Sequence, residues 1–228
     1  MINEKLLNNF ADWEQLLFTE GFGLDVCEEY LSFNKKVIIC DCDGILTDGG
    51  HYYTEDGKTM KRFGSCDKEA MRFMLACGWK ILFVTNDPSG YQITERRLKD
   101  WDVIKYYISF NDLEAMFHTP NIAKFIPFVG SERRANLIEA FNKDGFYTVF
   151  LGDSMSDLTA AKNSNLFCTT NNAIDLVKSY AQIVSNKMGG FGGFADLMYQ
   201  IHWYVGSQYG DLVQKLEKND KQPSEKLI

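Results

Sequence analysis

The chain has 228 residues, of which 45% are hydrophobic and 24% are charged, as is typical of a folded globular protein. This length accommodates one core domain with additions. Its 31 acidic and 24 basic residues give a formal net charge of -7, which argues against nucleic acid as a partner because nucleic-acid binding requires a basic surface.

The six cysteines indicate the compartment. Several lie in or beside predicted core elements and no signal peptide is recognisable, so buried thiols are favoured over disulfides. No apolar stretch approaches the roughly 18 residues that cross a membrane. We therefore expect a cytoplasmic protein without a membrane partner.

Three segments organise the chain. Residues 1–34 have apolar residues at helical spacing and predict a helical extension that covers the core or a neighbouring subunit. Residues 35–205 form the predicted core domain. Residues 206–228 are mostly polar and predict a frayed tail.

The core begins with an apolar run from Val37 to Cys40 that leads into Asp41, Asp43 and Gly44. This pattern predicts a buried strand that ends in a polar loop. Ligands of open α/β sheets collect beyond the carboxyl ends of parallel strands, so we expect a site here.

Next come a predicted hairpin and a crossover helix. The Asp56-Gly57 pair lies between residues 51–54 and 58–63 and predicts a β-hairpin that caps the site. Residues 67–77 have helical spacing, and Gly78 is placed to end that helix.

Further elements alternate along the rest of the core. The predicted strands cover residues 79–84, 103–109 and 147–151, and the predicted helices cover residues 89–101, 132–141, 158–161 and 194–205. The alternation predicts an α/β fold with a Rossmann-like, doubly wound parallel sheet. We assign no chemistry to residues 110–129, a candidate insertion.

Polar side chains close two of these strands. Thr85 and Asn86 follow the strand over residues 79–84, where a hydroxyl and a backbone N–H can bind phosphoryl oxygens. Asp153 follows the strand over residues 147–151, and Asp157 comes four residues later. Acids that converge on a phosphate need a hard divalent cation, and Mg²⁺ suits carboxylate ligands.

Together these motifs resemble the haloacid dehalogenase superfamily over roughly residues 35–197: Asp41-x-Asp43-Gly44, a strand ending in Thr85, a basic residue, and Gly152-Asp153-x-x-x-Asp157. The resemblance implies that Asp41 is the nucleophile of an aspartyl-phosphate intermediate and that Asp43 is the acid/base. It also implies Mg²⁺ ligands at Asp41, the Asp43 carbonyl and Asp153, with Asp157 in the first or second coordination shell.

The basic residue of this family is usually a lysine at the start of the helix before Gly-Asp, where this chain has Arg133 and Arg134. Leu137, Ile138 and Phe141 follow Arg134 at offsets of three, four and seven, which places Arg134 on the buried face of that helix. We therefore assign the catalytic role to Arg134, with Lys124 as a distant second candidate.

The short interval from Asp43 to Thr85 leaves no room for a large cap domain. A second set of residues resembles the capless branch of 3-deoxy-D-manno-octulosonate 8-phosphate phosphatases and the related domain of acylneuraminate cytidylyltransferases: Asp41 to Gly49, Lys61-x-Phe63, Asp67 and Gly189-Gly190-x-Gly192. The resemblance implies a homo-oligomer, most simply a tetramer, whose hairpins cap neighbouring sites. We assign substrate contacts to Asn86, Gly44, Lys61 and Asp67.

The chain departs from that branch at two arginines that suit an acidic sugar. Asp87 stands where the branch has the arginine of Thr-Gly-Arg, and Cys66 where it has the arginine of Arg-Asp-Gly. We therefore expect a small phosphorylated metabolite, a sugar phosphate or a similar ester, as the substrate.

Other kinds of site fit the sequence less well. His51, His118 and His202 lack ligand spacing, which argues against zinc. The glycines of residues 189–193 follow no predicted strand and lack the lysine and hydroxyl of a nucleotide loop. A low-turnover phosphate-binding or oligomerisation module of the same fold, or a phosphotransferase, remains an alternative to a Mg²⁺-dependent phosphatase.

Overall fold

A computed structural model describes residues 35–106 and 122–205 of the chain. The predicted helical extension over residues 1–34, the predicted tail over residues 206–228 and residues 107–121 lie outside the described residues. All structural statements below concern the described ranges.

A seven-stranded parallel sheet forms the centre of the domain, in the order β5-β6-β4-β1-β7-β8-β9. Its strands are β1 (Lys36–Asp41), β4 (Lys80–Thr85), β5 (Ile104–Lys105), β6 (Ala123–Pro127), β7 (Tyr147–Leu151), β8 (Leu166–Thr169) and β9 (Ile183–Val184). The predicted doubly wound parallel sheet is confirmed.

Strand β1 lies in the middle of the sheet, between β4 and β7. It pairs in parallel with both strands. Because parallel strands are covered on both faces, they consist of continuous apolar runs, and every residue of β1 after Lys36 is buried. Its carboxyl end therefore delivers Asp41 to the middle of one sheet edge.

Helices cover both faces of the sheet. They are α1 (Asp67–Ala76), α2 (Tyr91–Lys99), α3 (Ser131–Lys143), α4 (Leu158–Asn163), α5 (Asp175–Tyr180) and α6 (residues 193–205). Alternate residues of β1 serve the two sides: Ile38 and Cys40 pack in one apolar core, and Val37 and Ile39 in the other.

A small antiparallel hairpin, β2 (Tyr52–Thr54) and β3 (Gly57–Met60), lies outside the main sheet. Gly57 adopts a φ of 115°, which only glycine accepts readily, at the predicted turn. A single antiparallel bridge between Thr47 and Phe63 ties the end of the hairpin back to the loop after β1. The hairpin predicted after the first strand is thus present, and it occupies the place of a cap domain.

The edges of the sheet differ from the sequence-based prediction. Strand β6 falls within residues 110–129, where no element was predicted, and it separates β5 from β4. Of the strand predicted over residues 103–109, the described part contains only Ile104–Lys105. Strands β8 and β9 and helix α5 were not predicted.

Within the described ranges, no helix has the length and apolar character that a bilayer-spanning segment would need.

Candidate active site

Three carboxylates converge at the carboxyl edge of the sheet. Asp41 is the last residue of β1, and Asp153 and Asp157 follow β7, its neighbour in the sheet. One oxygen of each carboxylate lies within 4.8 Å of an oxygen of the others. The two acidic motifs thus meet because β1 and β7 are adjacent and parallel.

Arg134, from the first turn of α3, joins two of these acids. Its Nη1 donates to Asp41 Oδ2 at 2.8 Å and its Nη2 donates to Asp41 Oδ1 at 3.1 Å. Nη1 also donates to Asp157 Oδ1. The guanidinium is buried and is fixed from behind by a 2.9 Å hydrogen bond from its Nε to the carbonyl oxygen of Val129. Arg133 is exposed, and its Nη1 donates to the Phe128 carbonyl at 3.2 Å.

Asp157 organises the loop after β7. Its Oδ2 accepts hydrogen bonds from the backbone N–H groups of Asp153 at 3.1 Å and Ser154 at 3.0 Å, and from Ser154 Oγ at 2.9 Å. Since Arg134 occupies the other oxygen, both oxygens of this fully buried carboxylate already have partners. Asp157 therefore holds the loop that carries Asp153 through one oxygen and contacts Arg134 through the other.

Gly44 and Asp153 approach each other closely. Gly44 has a φ of 81°, and a Cβ on it would lie 1.9 Å from Asp153 Oδ2. The Gly44 carbonyl accepts hydrogen bonds from Thr170 Oγ1 at 2.8 Å and Asn172 Nδ2 at 3.0 Å. Gly44, predicted as a substrate contact, therefore also has a structural role, because its missing side chain leaves the space in which the Asp153 carboxylate sits.

The electrostatics of the cluster fit a divalent cation. Burial, reinforced by the charges of Asp157 and Asp43, raises the pKa of Asp153 to about 7. Burial also raises the pKa of Asp41 well above its usual value, against the opposing charge of Arg134 and with the support of Asp157. A hard divalent cation binds favourably to carboxylates crowded in this way, because it offsets their mutual repulsion.

Thr85 and Asn86 lie at the end of the neighbouring strand. Thr85 is buried, and its Oγ1 accepts a 3.2 Å hydrogen bond from the backbone N–H of Asp87. Asn86 is exposed, and its side chain faces Gly130 at the start of α3. Both residues therefore lie at the same sheet edge as Asp41.

Asp43 faces the hairpin. Lys61 Nζ lies 2.8 Å from its carboxylate, and Thr47 Oγ1 donates to it at 3.1 Å. Within one chain, the Lys61 ammonium thus reaches the Asp43 carboxylate. That the hairpin also caps the site of a neighbouring subunit stays a prediction. The hairpin is short and bridged to the loop after β1, so it folds over the site from which it emerges.

The predicted substrate contact of Asp67 is wrong. The side chain is fully buried at the start of α1. Backbone amides lie near its carboxylate, but neither oxygen accepts a hydrogen bond of standard geometry. Burial raises its pKa to about 6, against the opposing pull of the backbone amides of Ala195 and Gly64 and the charge of Arg97. Asp67 therefore belongs to the interior beside α6, where a substrate does not reach.

Asp67→Asn is expected to increase the free energy of unfolding by about 2 kcal/mol above pH 6. The folded-state pKa exceeds the unfolded value of 3.8, so the wild-type chain loses stability as the pH rises through 6. The gain should therefore shrink as the pH falls towards 4. Urea unfolding across this range measures it, with Glu69→Gln on the same helix as the control. A gain that does not change with pH would contradict the assignment.

Other candidate residues lie away from the acids. Lys124 is on β6, with its Nζ 5.7 Å from the centre of the Tyr106 ring. The rings of His51 and His202 lie beside Tyr53 and Phe73, respectively. The described cysteines are free thiols, and three of them are buried: Cys40, Cys42 and Cys168.

Sequence reasoning missed several residues that support the site. Lys58 Nζ lies 2.7 Å from Asp87 Oδ2, and Thr170 and Asn172 hold the Gly44 carbonyl. The partner of Lys58 could have been found from the sequence, because Asp87 directly follows the site residues Thr85 and Asn86. The hydroxyl and amide after β8 had no such signal, because β8 itself was not predicted.

The overall fold is similar to that of solved phosphatases. The cobalt-bound deoxy-D-mannose-octulosonate 8-phosphate phosphatase of Haemophilus influenzae shares 23% identity, with a TM-score of 0.56, over 74% of this chain and 89% of that one. The 3-deoxy-D-manno-octulosonate 8-phosphate phosphatase of Moraxella catarrhalis, in complex with magnesium, phosphate and its sugar acid, shares 17% identity, with a TM-score of 0.58, over 85% and 99%. The corresponding Yersinia pestis phosphatase shares 19% identity, with a TM-score of 0.56, over 76% and 83%.

No family model matches the chain, and no curated protein matches it. At these low identities, the structural similarity shows the fold alone. Function must therefore be argued from the site.

Proposed function

We propose that this chain, which has the fold of haloacid dehalogenase phosphatases, hydrolyses a small phosphomonoester with the help of a divalent cation. The observation that carries the proposal is the Asp41 carboxylate at the end of the central strand. It is bridged by Arg134 to Asp157 and lies two residues before Asp43. A nucleophile, a buried cation and an acid/base are the groups that phosphoryl transfer requires.

In the proposed reaction, an Asp41 oxygen attacks phosphorus and the bond to the ester oxygen breaks. Asp43, which must take up a proton before this step, gives that proton to the leaving oxygen, so an alcohol departs and an aspartyl-phosphate remains. Asp43 then takes a proton from water, which attacks the phosphorus and releases inorganic phosphate and the Asp41 carboxylate. Thr85 Oγ and the Asn86 backbone N–H donate to the phosphoryl oxygens during both steps.

The metal would be held by Asp41, the Asp43 carbonyl and Asp153, with Asp157 orienting the Asp153 loop. A divalent ion bound there would neutralise charge on the phosphoryl oxygens. Mg²⁺ suits these oxygen ligands, and two of the similar phosphatases above contain a divalent cation, cobalt in one and magnesium in the other.

The test of the proposed function is a panel of phosphate esters with millimolar Mg²⁺, measured by phosphate release. Hydrolysis of at least one small ester, lost after chelation, is the expected result. A phosphotransferase would instead form product only when an acceptor alcohol is present. If no ester in the panel releases phosphate, the result counts against hydrolysis.

Asp153→Asn is expected to abolish stabilisation by the metal. Mg²⁺ at about 100 times its dissociation constant should raise the unfolding midpoint of the wild-type chain by about 5 °C, because only the folded state presents the ligands. The variant should show no such rise. Differential scanning fluorimetry measures both, and Asp175→Asn, whose side chain is 99% exposed on α5, is the control. A full metal response in Asp153→Asn would exclude this ligand set.

A second candidate function is a phosphate-binding module with little turnover. It is favoured by the Arg134 contacts, since the guanidinium engages both oxygens of Asp41 and cannot lose its proton. Such a module would bind phosphate esters in calorimetry without releasing phosphate. Turnover of a metabolite would exclude it.

We also propose that the chain acts as a homo-oligomer, most simply a tetramer, in a reducing cytoplasmic compartment that suits its free thiols. Tyr52, Tyr53 and Met60 of the hairpin are exposed apolar side chains that an interface would bury. Light scattering is expected to give a mass several times 26.1 kDa. A single monomeric species at working concentration would overturn the assembly proposal.

A further inference from the structure

Four charged side chains alternate in sign between the hairpin and the site. Asp87 Oδ2 lies 2.7 Å from Lys58 Nζ and 2.9 Å from Lys61 Nζ. Lys61 Nζ continues to the Asp43 carboxylate at 2.8 Å. The lysine side chains are 2% and 0% exposed, so Asp87 and Asp43 are paired with cations that solvent hardly reaches.

Asp87 is itself fixed by the backbone. Its Oδ1 accepts hydrogen bonds from the backbone N–H groups of Ser89 at 3.2 Å and Gly90 at 3.0 Å, and from Ser89 Oγ at 2.9 Å. Although burial acts in the opposite direction, hydrogen bonds from Lys58 and Lys61 hold the pKa of Asp87 well below its usual value. One oxygen of Asp87 therefore orders its own loop, and the other binds the hairpin.

Two further contacts show that this arrangement is built into the fold. Thr94 Oγ1, which is fully buried on α2, accepts a 3.1 Å hydrogen bond from Lys61 Nζ. A Cβ on Gly90 would lie 2.3 Å from Asp87 Oδ2, 2.5 Å from Lys58 Cδ and 2.8 Å from Lys61 Cε. Gly90 thus provides the space through which both lysine side chains pass.

These charges lie on the leaving-group side of the proposed site, because Asp43 is the residue that protonates the leaving oxygen. While Asp43 is ionised, as in these ion pairs, the two lysines and two carboxylates cancel, and each ammonium already has a carboxylate partner. Arg62, the next cation along the chain, is exposed, and its guanidinium carbon lies 3.9 Å from the centre of the Phe191 ring. It is not part of the four-charge network.

We propose, on the premise of the phosphatase function above, that Asp87 determines specificity by neutralising the hairpin lysines, so that the site selects phosphate esters whose leaving group carries no negative charge. A carboxylate on the leaving group must compete with Asp87 and Asp43 for ammonium groups that are already hydrogen-bonded. It also lies close to both acids, and such juxtaposition of like charges is unfavourable. A hydroxyl-bearing leaving group avoids both costs.

The experiment compares esters that differ by one carboxylate in place of a hydroxymethyl group: glucitol 6-phosphate with 6-phosphogluconate, and glycerol 3-phosphate with 3-phosphoglycerate. Dissociation constants are measured by calorimetry with Mg²⁺ on an Asp41→Asn chain, in which turnover is expected to be at least about 10³-fold slower. The same ratios are measured as kcat/KM on the wild-type chain, so the test does not depend on one variant. The ester whose leaving group is uncharged is expected to bind more tightly, and to have the higher kcat/KM, by about tenfold in each pair.

Asp87→Asn then separates charge from structure. Asparagine keeps an oxygen that accepts from Ser89 and Gly90 but removes the charge that neutralises the lysines. We expect the preference to reverse towards the acidic member by about tenfold or more. Asp102→Asn, at an acid whose side chain is 82% exposed and lies outside the network, should leave the ratio unchanged.

The outcomes are distinct for the two proposals. Equal or tighter binding of the acidic esters by the chain with Asp87 intact would overturn the specificity proposal. An equal loss of affinity for both esters of a pair in Asp87→Asn would overturn it as well. The expected binding ratios without any phosphate release would contradict only the phosphatase proposal. Failure of all four esters to bind would count against both.

Discussion

Asp41→Asn is expected to lower phosphate release by at least about 10³-fold, because the amide cannot form the acyl-phosphate on which the proposed reaction depends. The Asn86 and Thr85 donors and Arg134 remain, so ester binding should persist within about tenfold. Asp48→Asn is the matched control: Asp48 lies in the same loop, and its Oδ1 accepts from the Gly50 N–H, a bond that asparagine can keep.

The intermediate provides an independent measurement. Acid quenching of the wild-type chain during turnover of a ³²P-labelled ester should trap protein-bound phosphate, and Asp41→Asn should trap none. Wild-type turnover in Asp41→Asn would show that another residue is the nucleophile. Turnover without trapped label in either chain would favour direct attack by water.

Arg134→Met is expected to lower the free energy of unfolding by about 3–5 kcal/mol in the absence of divalent cations. Arg134 is buried between Asp41 and Asp157, which are themselves 7% and 0% exposed, so its removal leaves two buried carboxylates without their cation. Urea unfolding in chelator at pH 7.5 measures the loss. Arg133→Met, at an exposed position one residue away, should cost less than about 1 kcal/mol.

Arg134→Lys separates charge from geometry. A lysine keeps the charge but cannot make the paired hydrogen bonds to both oxygens of Asp41. We expect it to recover most of the lost stability and to support turnover within about tenfold of the wild-type chain. If Arg134→Met is as stable as the wild-type chain, the carboxylates are protonated or otherwise compensated, and the ion-pair account fails.

The centre of the fold was predictable because its apolar runs are long and end in recognisable residues. Strands β1, β4 and β7 each end at, or within two residues of, a site residue, so Asp41, Thr85 and Asp153 could be placed at one sheet edge from the sequence. Arg134 could be distinguished from Arg133 because the apolar residues that follow it lie on one face of the helix. Helix α3 buries that face.

Other features depend on contacts that local sequence does not encode. Strand β6 is five residues long and ends in proline, and its place between β5 and β4 follows from tertiary pairing. The contacts of Lys58 and Lys61 with Asp87 depend on how the hairpin folds back over the loop after β4. The burial of Asp67 depends on helix α6, which follows more than a hundred residues later and covers its side chain.

The central position of β1 also determines when the site can exist during folding. Lys36 pairs with Tyr147 and Val37 with Lys80, so the acidic cluster forms only after two long chain segments have closed. Closing such loops costs entropy before the contacts repay it, which makes parallel sheets slow to assemble. Occupancy of the cluster by a cation therefore reports that β7 has paired with β1, and a fragment that ends before β7 lacks Asp153 and Asp157.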